Sequence, residues 1–452
     1  MDNKYLLSYL KSYYNDPRMD RVLDYFKVDF DYYLYAYGCQ FGSNDNLEKN
    51  IQFLYDNDFG KVKSSTPKKF SLKILLKNKL ISIMSKAQNY SIEKQAKLDE
   101  NFKKVLFYNK LPRKAKSIFA KHQIRVVCLD DYLNDNYPQI LEIFKWYDSL
   151  SMLSFAERLQ LGRYDCLDVF IRSIQETFND FDGFFVGNDE YFLSKLFIDA
   201  FKGMGIPTYN WSHGIDAEVG IPMRTDYLLV WGPALKENLI KDGKSAESII
   251  VSGNIHYFEI PAITHFRTSL NDVLVLTSVT VANIRHNWDY NTFAKWDRSL
   301  LITYIYSVEK VLKSIGVKHA RLRPHPINNK LWVEKFIDTD FFTIDYLPLN
   351  QSLEKATLAI GPTSSTFVES LQKGLTYLIY EPGKNERNLV GLPLIPPYDG
   401  SDNNVKVAFD EDQLKELIET KYTYNPNILD KYMVPFDVGS FRNTLDKKYQ
   451  QK

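Results

Sequence analysis

Short runs of apolar, β-branched and aromatic residues recur along the chain, and each is followed by a stretch of helix length with apolar residues on one face. These runs predict strands, which we place at Lys104–Tyr108, Ile124–Leu129, Gly183–Gly187, Ile206–Asn210, Asp226–Trp231, Ser248–Ser252, Val273–Thr277, Lys318–Arg323, Phe342–Tyr346, Thr357–Gly361 and Thr376–Tyr380. The runs are continuously apolar rather than alternating, which indicates strands covered on both faces. Strands that alternate with helices in this way predict parallel α/β sheets.

Two helix boundaries support this pattern. The stretch Glu190–Phe201 places apolar residues at helical spacing and is followed by Gly203. The stretch Thr366–Lys373 is followed in the same way by Gly374. Because glycine after the last apolar turn is a common helix stop, both stretches are predicted helices.

The alternation of strands and helices is interrupted near residues 253–270. Gly253 and Asn254 close one strand, Pro261 blocks its continuation, and Val273 opens the next strand. We therefore predict one domain at 1–255, a second at 268–432, and a C-terminal helix at 433–452 that packs back on the first domain. Each domain is predicted to be a doubly wound, Rossmann-like α/β sheet, and ligands are expected at the carboxyl ends of strands in the cleft between the two.

The composition is that of a folded globular protein, because 44% of the 452 residues are hydrophobic and 25% are charged. Lys and Arg number 57 against 56 Asp and Glu, a balance that does not favour nucleic acid as a partner. Three widely spaced cysteines fit a reducing compartment better than a disulfide framework or a zinc site. We find neither a signal peptide nor an apolar run of about 18 residues, and therefore expect a cytoplasmic protein.

A basic segment at 61–97 stands apart, since it holds ten lysines and a single acid, Glu93. Apolar residues between Leu72 and Met84 form a helical stripe within it. The segment is either a core-packed helix with a solvated basic face, or a surface that contacts anionic lipid or a lipid-linked acceptor. The second interpretation would place the protein peripherally on the inner face of the cytoplasmic membrane.

The most specific motif is Arg321-Leu322-Arg323-Pro324-His325-Pro326, which follows a predicted strand. Such a position is where α/β sheets bind ligands. The two prolines restrict the backbone of His325, and guanidinium groups suit the oxygens of a phosphate. We therefore predict that Arg323, His325 and Pro326 form part of a phosphate site, with His325 also able to donate a proton to a departing phosphate.

A second motif, Gly361-Pro362-Thr363-Ser364-Ser365-Thr366, lies between a predicted strand and a predicted helix, with Glu369 one turn into that helix. Hydroxyl and amide groups at a helix start suit an anion. We predict that Thr363, Ser364 and Ser365 bind a phosphate and that Glu369 binds ribose hydroxyls. The alternative is that Glu369 forms a capping box with Ser365 or Thr366.

Candidates for a general base lie in the first half of the chain. His213 precedes Gly214 just after a predicted strand, and Asp189 and Glu190 come directly after another. The alternatives are that His213 is a buried structural histidine and that Asn188 or Asp189 is a helix N-cap. Asp130-Asp131 is a similar but weaker candidate.

Several other functions are not favoured by the sequence. It contains no G-x-G-x-x-G after a first strand, no P-loop, no G-x-S-x-G elbow and no H-E-x-x-H. The D-x-D triplets are as frequent as chance allows and none follows a clean strand, so we expect no metal at the site and no cofactor.

The order and placement of these motifs resemble those of bacterial GT-B glycosyltransferases of surface-polysaccharide synthesis. His325-Pro326 and Ser364-Ser365 match the His-Pro and Ser-Ser/Thr motifs with which bacterial sialyltransferases hold cytidine monophosphate. The second half is also similar to teichoic-acid glycerophosphotransferases, which use CDP-glycerol and carry a His-Gly pair, as His213-Gly214 does here. Capsular Kdo transferases share the general signature. The sialyltransferase base motif, two acids followed by glycine, is not matched, because Tyr191 follows Asp189-Glu190.

The resemblance implies an inverting, nucleotide-sugar-dependent glycosyltransferase. Its donor would be a CMP-activated nonulosonic (sialic-acid-like) sugar, and its acceptor a glycan or lipid-linked glycan of a capsule or lipopolysaccharide. The base would be Asp189, Glu190 or His213, and His325 would neutralise the departing CMP. The alternatives are a CDP-glycerol-type glycerophosphotransferase, a CMP-Kdo transferase, a sugar-nucleotide 2-epimerase of the same fold, and a non-catalytic sugar-binding protein.

Overall fold

The computed structural model of the chain describes residues 102–129, 138–150, 166–189, 191–215, 223–277, 298–326, 333–382 and 394–446. These residues form two parallel sheets of six strands each. The basic segment 61–97, the pair Asp130-Asp131 and Glu190 lie outside the described residues, so the predictions made for them stay predictions.

The first sheet contains the strands of the N-terminal half in the order β2-β1-β3-β4-β5-β6. Their bounds are β1 Lys103–Phe107, β2 Ile124–Cys128, β3 Gly183–Val186, β4 Thr208–Trp211, β5 Tyr227–Val230 and β6 Ile249–Val251. The helices between them are α1 Arg113–Lys121, α2 Pro138–Leu150, α3 Cys166–Phe178, α4 Phe192–Gly203 and α5 Pro233–Lys241.

The second sheet has the order β12-β11-β10-β7-β8-β9. Its strands are β7 Val273–Leu276, β8 Ala320–Arg323, β9 Phe342–Ile344, β10 Leu358–Gly361, β11 Tyr377–Tyr380 and β12 Val407–Ala408. Its helices are α6 Arg298–Ser314, α7 Leu349–Lys355, α8 Thr366–Gln372, α9 Glu411–Glu419 and α10 Ile428–Tyr432, after which α11 Gly439–Arg442 and a 3-10 turn at Asn443–Asp446 follow.

Every strand predicted from the sequence is present, with ends shifted by one or two residues, and the α/β fold with two doubly wound sheets is confirmed. The predicted helices occur as Phe192–Gly203 and Thr366–Gln372. The sequence did not reveal β12, because a strand of two residues carries no detectable pattern.

Both faces of the second sheet are buried, as the continuous apolar runs indicated. Val273 and Val275 of β7 pack into one hydrophobic cluster, and Leu274 and Leu276 pack into another on the opposite face. The second cluster also takes in Trp231 of the first half. Apolar packing therefore joins the two halves of the molecule.

Each sheet contains a point where the direction of winding reverses. In the first sheet the chain runs from β1 to β2 on one side and resumes with β3 on the other side of β1. In the second sheet β8 and β9 lie on one side of β7 and β10 lies on the other. Crevices that bind ligands form at the carboxyl ends of the strands at such reversals.

Two segments that cross between the sheets lie side by side. The backbone N–H groups of Phe436 and Asp437 donate to the carbonyl oxygens of Tyr257 and Ser252 at 2.9 and 2.8 Å. The crossing requires glycine at Gly232, because a Cβ there would lie 2.3 Å from the carbonyl carbon of Tyr432. We call residues 252–257 and 432–437 the crossing segments.

A half-buried ion pair fixes the second crossing segment at its start. The Asp402 carboxylate accepts hydrogen bonds from Lys431 at 2.7 Å and from the hydroxyl of Tyr432. Burial alone would raise the pKa of Asp402, but these bonds, together with those from Asn404, outweigh it and lower the pKa to about 2.

Beyond the crossing, the chain returns to the first sheet. Residues 433–438 are not helical, and the first helical turn begins at Gly439. Phe441 packs against Phe119 and Phe185, with ring centroids 6.0 and 5.7 Å apart. The hydroxyls of Tyr209 and Thr444 lie 2.7 Å apart, so the end of the described chain is part of the first domain's core.

No helix among the described residues is long and apolar enough to cross a membrane.

Candidate functional site

His213 lies in the turn after β4, at the carboxyl edge of the first sheet, and its side chain is exposed. The turn is held by its neighbour: Ser212 Oγ donates to the carbonyl oxygen of Gly214 at 2.6 Å, and Trp231 Nε1 donates to the carbonyl oxygen of Ser212 at 2.9 Å. The alternative that His213 is a buried structural histidine is therefore wrong. Its imidazole is accessible to a ligand.

His325 follows β8, at the carboxyl edge of the second sheet, and is half-buried. Its backbone N–H donates to Thr277 Oγ1 at 3.0 Å, which fixes the Pro-His-Pro loop to the end of β7. Burial lowers the pKa of the His325 imidazole, and positive charge on His213 lowers it further. The two histidines, one from each sheet, therefore lie close enough to interact electrostatically.

The two arginines of the motif have different roles. Arg321 is 8% exposed and bonds to Asp272 at 2.6 Å and to the buried carboxylate of Asp345. It also donates to the carbonyl oxygen of Ser352 at 3.1 Å, so its guanidinium stabilises the second domain from within. It is not available to a ligand.

Arg323 is less buried and lies nearer the cleft. Its Nη1 donates to the carbonyl oxygen of Leu347 at 2.5 Å and to Ser352 Oγ at 3.1 Å. Its positive charge also acts on Glu369 of α8, where it lowers the pKa of the carboxyl group. The guanidinium is thus held in place beside two of the predicted donor-binding elements.

The loop Pro362–Ser364 after β10 is held by a separate bond at each of its three residues. The hydroxyl of Tyr377 donates to the Pro362 carbonyl oxygen at 2.6 Å, and that of Tyr398 donates to the Ser364 carbonyl oxygen at 2.6 Å. The backbone N–H of Thr363 donates to the carboxylate of Glu381, a residue that is fully buried. We call this segment the clamped loop.

The hydroxyls of the clamped loop and of Ser365 lie on the same sheet edge as His325. Ser364 Oγ accepts from the backbone N–H of Thr366 at 3.2 Å, and Ser365 is half-buried and makes no side-chain capping bond. Thr363 Oγ1 is buried and has no hydrogen-bond partner within the described part of the chain. Since β7 alone separates β8 from β10, the two strand ends lie about 10 Å apart. Pro326 is exposed at the same edge.

Glu369 contacts the crossing segment rather than its own helix. Its Oε1 accepts a hydrogen bond of 2.7 Å from the hydroxyl of Tyr257. Burial raises the pKa of the Glu369 carboxyl, and the bond from Tyr257 and the charge of Arg323 oppose that rise. The capping-box alternative is therefore wrong, since the carboxylate is used by Tyr257 and Ser365 makes no side-chain cap.

Asp189 is 3% exposed and does not cap α4, which begins at Phe192 with Tyr191 as its N-cap. Its Oδ2 accepts from the backbone N–H of Arg224 at 3.1 Å. Burial raises the pKa of the Asp189 carboxyl, and backbone hydrogen bonds from Arg224 and Thr225 lower it. This placement favours Asp189 as an anchor for the segment before β5 over its predicted role as a base. Glu190 lies outside the described residues, so its predicted role stays a prediction.

A cavity of about 250 Å³, which we call the edge cavity, opens beside His213 at the carboxyl edge of the first sheet. Two tryptophans, Trp211 and Trp231, line the cavity. The polar side chains in its lining include Asn109, Lys110, His213, Asn254 and His256. Burial lowers the pKa of His256. No group of three or more metal-binding side chains occurs among the described residues.

Several of these residues were not identified from the sequence. Tyr257, Glu381 and Tyr398 act on site residues that are 112, 18 and 34 positions away, and His256 carries no motif. The position of Glu381 directly after β11 was the one signal that could have marked it.

Comparisons with known proteins give fold-level likeness alone. No protein-family model and no curated protein matches the sequence. The chain is similar to the solved structure of UDP-N-acetylglucosamine 2-epimerase from Rickettsia bellii, with 13% identity and a TM-score of 0.41 over 76% of this chain and 95% of that one.

Two glycosyltransferase structures give the same degree of likeness. MurG of Acinetobacter baumannii is 12% identical with a TM-score of 0.41, over 76% of this chain and 99% of that one. The lipopolysaccharide outer core galactosyltransferase WaaB is 13% identical with a TM-score of 0.40, over 76% and 98%. All three scores lie below 0.5, so the fold of this chain rests on its own two sheets.

Proposed function

We propose that this protein is an inverting glycosyltransferase that moves a nonulosonic sugar from a CMP-activated donor to a glycan acceptor of a capsule or lipopolysaccharide. The observation that carries the proposal is the position of two histidines at strand ends, His213 after β4 of the first sheet and His325 after β8 of the second, with an electrostatic interaction between them. Arg323, Ser364 and Ser365 lie with His325 at the carboxyl edge of the second sheet, and the edge cavity lies with His213 at that of the first sheet. That arrangement supports a donor site at the edge of the second sheet and an acceptor site at the edge of the first.

On the acceptor side, His213 is the residue best placed to act as general base. The acceptor hydroxyl would lose its proton to the imidazole while its oxygen forms a bond to the anomeric carbon. The bond from that carbon to the phosphate oxygen breaks, and CMP leaves with the electron pair. General base catalysis of this kind contributes about 10²–10⁴-fold.

On the donor side, His325 and Arg323 would bind the phosphate, together with Ser364 and Ser365. Burial and His213 lower the pKa of His325, which favours a neutral imidazole that donates one N–H. A bound phosphate would raise that pKa again, so donor binding should take up protons. Preorganised donors of this kind are each worth roughly 3–4 kcal/mol in the transition state.

The cytidine specificity rests on the His325-Pro326 and Ser364-Ser365 motifs. Its test is a thermal-shift panel of CMP, CDP, UDP and GDP on the full chain. A ligand that binds the folded state raises its stability by mass action, so CMP or CDP should raise the melting temperature most. Stabilisation by UDP or GDP alone would rule out a cytidine donor.

Activity is tested by release of CMP from CMP-N-acetylneuraminic acid with and without mixed glycan acceptors. We expect His325→Ala and His213→Ala to lower transfer by at least about 100-fold. His319→Ala is the matched control, because His319 lies at the opposite edge of the same sheet, before β8, where its Nε2 is 2.7 Å from Thr343 Oγ1. Acceptor-independent conversion of the donor would instead indicate an epimerase.

The predicted membrane contact of residues 61–97 remains a separate proposal. Vesicles that contain anionic lipid should bind the full chain, and binding should weaken as salt is raised. Binding that is absent, or that ignores salt, would exclude this contact.

A further inference from the structure

We propose that the edge cavity binds one acidic saccharide unit, whose carboxylate or phosphate is held by Lys110 and His256. One part of this inference, the assignment of the cavity to the acceptor, rests on the proposed function. It goes beyond that function by naming the chemical class of the acceptor.

The edge cavity is lined by residues that follow three strands of the first sheet. Lys110 follows β1, His213 follows β4, and His256 follows β6, and all three line the same cavity. At about 250 Å³ the cavity is slightly smaller than the usual range of small-molecule sites, about 300–1,000 Å³. This size suits a single saccharide ring next to His213.

Aromatic rings form the apolar part of the cavity. Trp231 Nε1 donates to the carbonyl oxygen of Ser212 at 2.9 Å, and Trp211 Nε1 lies 3.4 Å from the carbonyl oxygen of Gly253. Both indole N–H groups are used by the backbone, and Trp211 and Trp231 are 6% and 4% exposed, so each ring offers a ligand a small apolar area. Such surface suits the C–H groups of a sugar ring.

The polar side chains that line the cavity among the described residues are positively charged or neutral. Lys110 is exposed and provides an ammonium group, a compact point charge suited to a carboxylate or phosphate. His256 is half-buried, and its backbone N–H donates to Asn254 Oδ1 at 2.8 Å, so the ring is held at the cavity. Burial lowers the pKa of His256, and an anion beside it would raise that pKa again.

The test uses saturation-transfer NMR on the full chain without nucleotide. The probes are glucuronic acid, its neutral methyl ester, glucose 6-phosphate and glucose. We expect signal from at least one anionic sugar and weaker signal from both neutral sugars. Since a hydrogen bond to a charged group is involved, Lys110→Met should weaken anion binding about tenfold. Lys110→Arg should keep it, and Lys121→Met at the exposed end of α1 is the control.

Each outcome decides the proposal. A response to glucuronic acid alone identifies the acid as a carboxylate, and a response to glucose 6-phosphate alone identifies it as a phosphate. Equal responses to glucose and glucuronic acid, no response to any sugar, or unchanged binding in Lys110→Met would overturn it. The nucleotide panel is independent of this assay, so failure of the acceptor proposal and failure of the proposed function can be distinguished.

Discussion

Tyr398→Phe is expected to weaken nucleotide binding without unfolding the protein. Tyr398 is fully buried, and its hydroxyl donates to the Ser364 carbonyl oxygen of the clamped loop at 2.6 Å. Its ring also packs edge-on to Phe367, with ring centroids 6.2 Å apart. Phenylalanine keeps that packing and removes only the hydroxyl, so the change isolates one of the three bonds that hold the loop.

The size of the effect follows from the lost bond. A buried carbonyl left without its donor destabilises the folded protein by about 1–3 kcal/mol. Part of the lost stability affects the clamped loop alone, which then adopts additional conformations. A smaller fraction of molecules therefore presents Ser364 in the binding position. A fall of that fraction to between a third and a tenth raises the dissociation constant about three- to tenfold.

Tyr424→Phe is the matched control for this experiment. Tyr424 is also buried, and its hydroxyl donates to the backbone carbonyl oxygen of Tyr377 in β11. Its loss should lower the free energy of unfolding by a similar amount while leaving all three bonds to the clamped loop. Urea unfolding measures stability, and calorimetric titration measures the affinity for the nucleotide that gives the largest thermal shift.

The result that would refute this reasoning is a specific pattern. If both variants lose the same stability and both keep the wild-type dissociation constant, the three bonds do not prepare the loop for a nucleotide. If Tyr424→Phe weakens binding as much as Tyr398→Phe, the effect comes from general loosening of the domain.

Three further predictions follow from single contacts. Thr277→Val removes the acceptor for the His325 backbone N–H, a loss on the order of 1–3 kcal/mol. It should lower the rate of transfer about tenfold, and an unchanged rate would contradict this prediction. Gly232→Ala should lower the free energy of unfolding by about 1–3 kcal/mol, because its Cβ would overlap the Tyr432 backbone; urea unfolding is the test. Asp402 has its pKa lowered to about 2, so it stabilises the fold above its unfolded pKa near 3.9. That stability should be lost as the pH falls from about 4 to about 2, and Asp402→Asn should lack this pH dependence.

The sheets could be predicted from the sequence because their signal is local. Strands such as Gly183–Val186 and Tyr227–Val230 are buried at every residue, so the sequence shows a continuous apolar run. The carboxyl end of each run then marks where a ligand-binding side chain can lie, which is why His213 and His325 were predicted as site residues.

The partners of these side chains could not be predicted, because they are distant in sequence. The Tyr257 hydroxyl reaches Glu369 across 112 positions, and the backbone N–H of Arg224 reaches Asp189 across 35. Both carboxylates stand at positions typical of ligand-binding residues, yet both already accept protein hydrogen bonds. Sequence position gives the strand end and does not give the direction in which a side chain points.

The crossing segments link the geometry of the cleft to that of the donor site. Tyr257 lies in the first crossing segment, where its carbonyl oxygen accepts from the backbone N–H of Phe436, and its hydroxyl holds Glu369 of α8. Any rotation of one sheet against the other must therefore also act on α8, which begins directly after the clamped loop. The relative position of the two sheet edges and the position of the hydroxyls proposed to bind the nucleotide are thus linked through the same contacts. Tyr257→Phe should accordingly change the kinetic constants for donor and acceptor together, whereas Lys110→Met should change those for the acceptor alone.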